Sequence, residues 1–313
     1  MSPARRGDAP PGSLAHGLGP FAYGKAGIRF LHVERLGATE QVLEVTARVR
    51  LTGGIDEAYV GGDNAAMVTT DALADLVQER SGQLAGAGPE VMATASVAAL
   101  AERYPHLPDV AVSVDVRRLE PAAGGLAHVR SGTEVAGASA RWRGAVVDCR
   151  ARLRGLGLVR TSGSRFDGFL VDRYTTTRPV ADRAVGGVFE ASWVADGGDR
   201  GADWATLRDR VREALVTAFA TEASASVQQL VYLMARRALD AEPGPAAIDV
   251  RLASLRLSPP RLPGPPEPAA SPEPAACRTL GLAEEPRGEV RVRLTRPASA
   301  SADGHQGIGP PAC

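Results

Sequence analysis

The sequence predicts an α+β protein in which one unit, strand, strand, helix, helix, strand, strand, is stated twice. Two patterns and a repetition predict it. In "VLEVTARVRL", Leu43, Val45, Ala47, Val49 and Leu51 alternate with Glu44, Thr46, Arg48 and Arg50, the period of a half-buried antiparallel strand. In "SASVQQLVYLMARRAL", Val227, Leu230, Val231, Met234 and Ala238 recur at helical spacing, an apolar stripe for one helix face. The repetition is that the order of strands and helices starts over near residue 144. A duplicated unit of this kind makes two antiparallel sheets, each with a helix pair on one face.

Taken in order, "IRFLHVER" pairs as a hairpin with the strand through Val45. Helical stretches follow around 70–83 and 91–104, then "DVAVSVDVRRLE" alternates through Val110, Val112, Val114 and Val116, and a further strand lies near 126–140. The second unit has strands near 144–160 and 184–195, helices near 203–220 and 226–240, and strands at 247–257 and 288–295. Residues 1–20 carry many Pro and Gly with no periodicity and read as a disordered extension. The Pro/Ala stretch 258–276 excludes a helix or a central strand and reads as an insertion, and 298–313 reads as an irregular tail. Helices on one face leave the other face and the sheet edges to be protected, which predicts an oligomer whose sheets close on one another.

Composition limits the function. With 36 basic and 36 acidic side chains among 313 residues, no global field draws the chain to nucleic acid or to an anionic membrane. There is no apolar run long enough to span a bilayer and no secretory signal at the start. Cys149, Cys277 and Cys313 are far apart, odd in number and in no metal-ligand spacing. The expectation is a cytoplasmic protein with reduced thiols and no bound metal.

"FAYGKAGIRF" contains the only lysine, Lys25, against arginine at every other basic position. Guanidinium stays charged at any biological pH, whereas a partly buried amine can give up its proton. A single lysine is first of all a solvated charge, so the case for acid/base chemistry depends on its companions. "SGSRFDGF" places Phe166 and Phe169 in a glycine-rich turn where a ring can stand clear of the core. Arg183 in "VADRAVGG" offers a planar fork for two oxygens or nitrogens of a flat ligand. Ser226 and Gln229 form a capping box, which leaves Gln228 in the first helical turn beside backbone N–H groups that attract anions. Thr70 and Asp71 in "GGDNAAMVTTDALADLV" open a helix, and capping is their plain role. Stack, fork, amide and helix N-terminus together suit a flat anionic heterocycle.

"YGK", "GDN…TTD", "SGSRFDGFLVDRYTTTRPVADR" and "SASVQQLVY" occur in the order and spacing of urate oxidase, the cofactor-free uricase, which the chain resembles from about Tyr23 to Leu257. The resemblance implies two tandem tunnelling-fold (ββααββ) repeats, 21–143 and 144–313, with antiparallel sheets that close into a barrel on oligomerisation. It implies Lys25 and Thr70 as the catalytic pair and Asp71 beside the purine's five-membered ring. Phe166 then stacks on the substrate, Arg183 and Gln228 clamp the six-membered ring, and Val227 makes a backbone contact. A homo-oligomer, dimer or tetramer, brings Lys25 and Thr70 of one copy to Phe166, Arg183 and Gln228 of another, with O2 as co-substrate and no cofactor. The chain departs from the family where Pro-Asn-x-His follows the strand 247–257: "LSPPRLPG" puts Pro260 and Leu262 at the asparagine and histidine positions. Three readings follow: oxidation of urate by O2 to 5-hydroxyisourate and hydrogen peroxide, oxidation of another flat N-heterocycle in specialised metabolism, or purine binding without catalysis.

Overall fold

A computed structural model describes residues 20–37, 39–125, 127–144, 146–195, 202–241, 244–258, 281–283 and 288–296. Hairpin strands β1 (Ala22–Leu36) and β2 (Thr39–Thr52) lead into a short helix α1 (Asp56–Val60), then helices α2 (Thr70–Gly82) and α3 (Pro89–Arg103). Strands β3 (Asp109–Ala122), β4 (Ala127–Val129), β5 (Val135–Arg143), β6 (Val146–Phe166) and β7 (Val180–Ala195) follow. Helices α4 (Trp204–Thr221) and α5 (Val227–Leu239) precede β8 (Pro245–Ser254), β9 (Arg256–Ser258), β10 (Gly281–Ala283) and β11 (Glu289–Thr295).

The α+β expectation holds, with one change of detail. Instead of two sheets, the strands form one nine-stranded antiparallel sheet in the order β1-β2-β3-β5-β6-β7-β8-β11, with β4 beside β3. The two halves meet where β5 pairs with β6. β9 and β10 make a separate two-stranded piece. The strand expected over 247–257 is therefore broken: β8 stops at Ser254, whose N–H and Oγ both donate to Gly288 O at 2.9 Å, while Leu255 N–H turns to Gly186 O. The stretches 1–19, 259–280 and 297–313, including most of the predicted Pro/Ala insertion, lie outside the described residues.

One face of the sheet carries all four long helices. Leu43, Val45, Ala47, Val49 and Leu51 of β2 are buried there with Val110, Val112 and Val114 of β3, as their alternation requires. Leu73 and Val77 of α2 and Met92 and Leu100 of α3 join this core, and Val211 and Leu215 of α4 with Leu230 and Met234 of α5 continue it over the strands of the second half, β6 and β8. Each fully buried aliphatic side chain of this kind stabilises by roughly 1.5–3 kcal/mol relative to exposure.

The opposite face is built from arginine–carboxylate contacts. Arg29 and Arg130 each donate to Glu44 at 2.6 Å. Arg141 holds Asp109, and Arg152 and Arg154 together hold Asp115. Arg291 holds Asp249, which Arg251 also approaches. Such a face is already hydrated and paired, so it needs no second layer; among the described strands, β1 and β11 end the main path of the sheet with open outer edges.

Glycine bulges set the ends of the long strands. Lys25 pairs with Val49 and Ile28 with Ala47, so two residues, one of them Gly27 at φ 69°, face a single partner. That bulge keeps Tyr23, Lys25 and Ile28 on the helix-bearing face. In β6 the register shifts at Gly155, where φ is 73° and a Cβ would lie 2.2 Å from Thr133 O. Buried positions change there from Ala151 and Leu153 to Leu156, and the strand runs on to Phe166 rather than ending near 160.

Candidate functional site

The residues singled out above form two groups. In the first, Lys25 Nζ lies 3.1 Å from Asp71 Oδ1, the lysine about one-third exposed (38%) and the aspartate mostly so. Thr70, half-buried, begins α2. The cap is not Thr70 or Asp71, as expected, but Thr69, whose side chain accepts from Ala72 N–H at 3.3 Å. One threonine thus satisfies the helix end and leaves its neighbour for other work. The N–H groups of Thr70 and Asp71 have no acceptor within the helix and, with the helix dipole, favour an anion.

Tyr23 fixes this arrangement and escaped the sequence reading. Its hydroxyl donates to Val68 O at 3.0 Å and accepts from Val68 N–H at 2.8 Å. Burial pushes the Tyr23 phenol above its ordinary range, so it stays protonated and able to donate. Tyr23 is two residues before Lys25, and Val68 two before Thr70; one side chain therefore sets strand against helix end. Position i−2 from a strand lysine shares its face, which was the available signal.

The second group lies at the junction of β6, β7 and α5. Phe166 and Phe169 stack with centroids 4.8 Å apart and planes at 18°, and the Arg183 guanidinium stands 4.8 Å from the Phe166 centroid. Phe166 is the last residue of β6, not a turn residue as expected, and is held by strand pairing to Val180. Arg183 Nε is buried with no hydrogen-bond partner among the described residues, and burial lowers the guanidinium's pKa from its ordinary value. A desolvated fork with a spare donor is suited to a planar acceptor. Ser226 Oγ accepts from Gln229 N–H at 3.1 Å, as the capping box predicts, but Gln229 Oε1 returns to Ala225 N–H at 2.6 Å, one residue earlier than the standard box. Val227 is half-buried and Gln228 exposed in the first turn of α5.

The single chain does not bring the two groups together. Lys25 is on β1 and Arg183 on β7, five strand steps apart in the sheet, or about 24 Å along it at ~4.8 Å per step. Two of the chain's grooves, 640 and 660 Å³, lie elsewhere, one against Glu190, Arg251 and Arg291 and the other between Gly88 and Arg208. Pro260 and Leu262 lie outside the described residues; the strand from which their positions are counted ends at Ser254, three residues earlier than expected.

The architecture defines an α+β chain with an amine–hydroxyl–carboxylate group at one edge of an antiparallel sheet and an aromatic–guanidinium–amide group five strands away. Comparison with known proteins agrees. The uricase family profile matches residues 149–283. Uricase of Aspergillus flavus is 28% identical over 236 residues, 69% of this chain and 77% of that protein. Uricase of Oryctolagus cuniculus is 29% identical over 223 residues, 67% and 73% of the two chains. The crystal structure of uricase from Arthrobacter globiformis shares the fold with a TM-score of 0.81 at 24% identity, covering 94% of this chain and 99% of the other. In sequence and in fold the chain is similar to members of the urate oxidase family.

Proposed function

We propose that this protein oxidises urate with O2 and water to 5-hydroxyisourate and hydrogen peroxide, without a metal or organic cofactor, in a site completed by two copies of the chain. The observation that carries the reading is the division of the candidate residues into two groups on one sheet whose two edges are open. Joining two eight-strand paths edge to edge gives a barrel of about sixteen strands, a size that encloses an aqueous channel. A face of arginine–carboxylate pairs suits such a lining.

In this site Phe166 stacks on the purine, Arg183 and Gln228 take two edges of its six-membered ring, and the Val227 backbone adds a contact. From the other copy, Asp71 and the free N–H groups of α2 meet the five-membered ring. The Lys25 amine and Thr70 hydroxyl accept a proton as the bound urate anion loses electrons to dioxygen. The hydroperoxide formed at the purine carbon then releases peroxide as water supplies the hydroxyl, so two electrons leave urate and two reduce O2.

The test is to mix the purified chain with urate in air and follow urate absorbance and peroxide together. Loss of urate with equimolar peroxide, unchanged by a chelator, is expected. Pro260 and Leu262, in place of an amide and an imidazole, favour a second reading in which the same clamp serves another electron-rich N-heterocycle. Urate that binds but is not consumed would shift the assignment to it.

A further inference from the structure

Arg160 is built into the structure as a clamp. From β6 its Nη1 donates to Phe219 O at 2.8 Å and Glu222 O at 2.7 Å, at the C-terminal end of α4. Its Nη2 donates to Gly163 O at 2.9 Å and Ser224 Oγ at 3.0 Å, and the guanidinium stands 5.5 Å from the Phe219 ring. The last carbonyls of a helix lack intrahelical donors, so a planar cation reaching in from another element is an effective cap.

The contacts continue beyond Arg160. Ser224 N–H donates to Gly163 O at 3.2 Å, and Arg165 N–H donates to Ser224 O at 2.9 Å. Asp182 Oδ1 accepts from Gly163 N–H at 2.6 Å. Ser224 and Ser164 are both buried, with hydroxyls 3.3 Å apart. Three segments are tied at one point, and each continues directly into one part of the candidate clamp: Ser164 into Phe166, Asp182 into Arg183, Ser224 into Val227 and Gln228.

We propose that Arg160 is the positioning residue of the ligand-binding half, setting the spacing of Phe166, Arg183 and Gln228 without touching ligand. The inference rests on the reading of those three residues as ligand contacts. Four hydrogen bonds from one planar fork cannot be reproduced by an ammonium with three donors, so lysine restores the clamp only in part.

Arg160→Met and Arg160→Lys are compared with the unmodified chain by anaerobic calorimetry with urate, by steady-state kinetics in air and by hydrogen exchange. Arg160→Met should weaken urate binding at least about fivefold, with Arg160→Lys intermediate, because the carbonyls of Phe219, Glu222 and Gly163 lose a donor. KM should rise more than kcat falls, and exchange should quicken at 163–166 and 222–229 but not at 68–72. Unchanged affinity in Arg160→Met, or exchange that quickens equally in both groups, overturns the inference. If Arg160→Met fails to fold, the same criteria apply to Arg160→Lys. If the unmodified chain binds no urate, the urate reading fails by itself, and unchanged exchange at 163–166 and 222–229 in the variants then refutes the clamp.

Discussion

Mixing two inactive variants should restore activity if each site draws on two copies. Lys25→Met removes the amine, and Arg183→Met removes the guanidinium beside Phe166; each chain alone then has every site defective. Both variants should fold, since Lys25 is partly exposed and its partner Asp71 mostly so, and ion pairs of this kind contribute only about 0–1 kcal/mol. Arg183→Met removes a charge whose Nε has no partner among the described residues, so no buried carboxylate is stranded. Within one chain the two positions lie five strand steps apart, about 24 Å along the sheet, too far for one bicyclic ligand to touch both. With equal amounts and random assembly, half the sites take their Lys25 half from an Arg183→Met chain. Half of those take their Arg183 half from a Lys25→Met chain, so about a quarter of sites are intact for any closed symmetric assembly. The assay is peroxide formation by co-expressed chains, scaled to the unmodified protein. Activity no higher than the sum of the separate variants would refute the shared site and require both groups to meet within one subunit.

Three further outcomes are expected. Arg183→Lys should weaken anaerobic urate binding by at least ~1 kcal/mol in calorimetry, since a point charge replaces a planar two-point contact, and Gln228→Ala should act likewise through an unpaired heterocycle edge. Tyr23→Phe leaves the Val68 N–H and C=O without their partner and should cost about 1–2 kcal/mol in urea unfolding, with a loss in kcat larger than any change in KM. Asp249 has its carboxyl held below the usual range by the hydrogen-bonded Arg291 guanidinium; a depressed folded pKa gives stability that is present above the unfolded value of about 3.9 and lost as pH falls through the folded one. Asp249→Asn should therefore lower the unfolding midpoint at neutral pH, with the difference from the unmodified protein shrinking as pH falls below the unfolded carboxylate value of about 3.9.

The sequence read well where one face of an element is buried and the other wet. The alternations of β2 and β3 and the stripe of α5 are direct consequences of that asymmetry, and their positions match closely. It read poorly where backbone geometry intervenes. Gly155 reverses the alternation of β6 midway and the register shifts again between Arg160 and Ser164, so no single period runs on to Phe166, and the break at Ser254 has no pattern because it is made by bonds to Gly288 and Gly186. Lys25, Thr70 and Arg183 stood out by type and company. Thr69, Tyr23 and Arg160 did not, because their roles lie in partners 45 or more residues away or in a choice between adjacent threonines.

The two faces of the sheet answer to different solvents. Salt that screens the arginine–carboxylate contacts around Glu44, Asp109, Asp115 and Asp249 weakens one face, while excluded salts such as sulfate strengthen the apolar packing of the other. Warming reduces the cost of desolvating paired charges, whereas apolar stabilisation per unit area levels off. Guanidinium chloride adds free copies of the head group that stitches these strands, at high ionic strength; urea adds none. The two denaturants should consequently rank variants of the charged face differently while ranking variants of the helix-covered face alike.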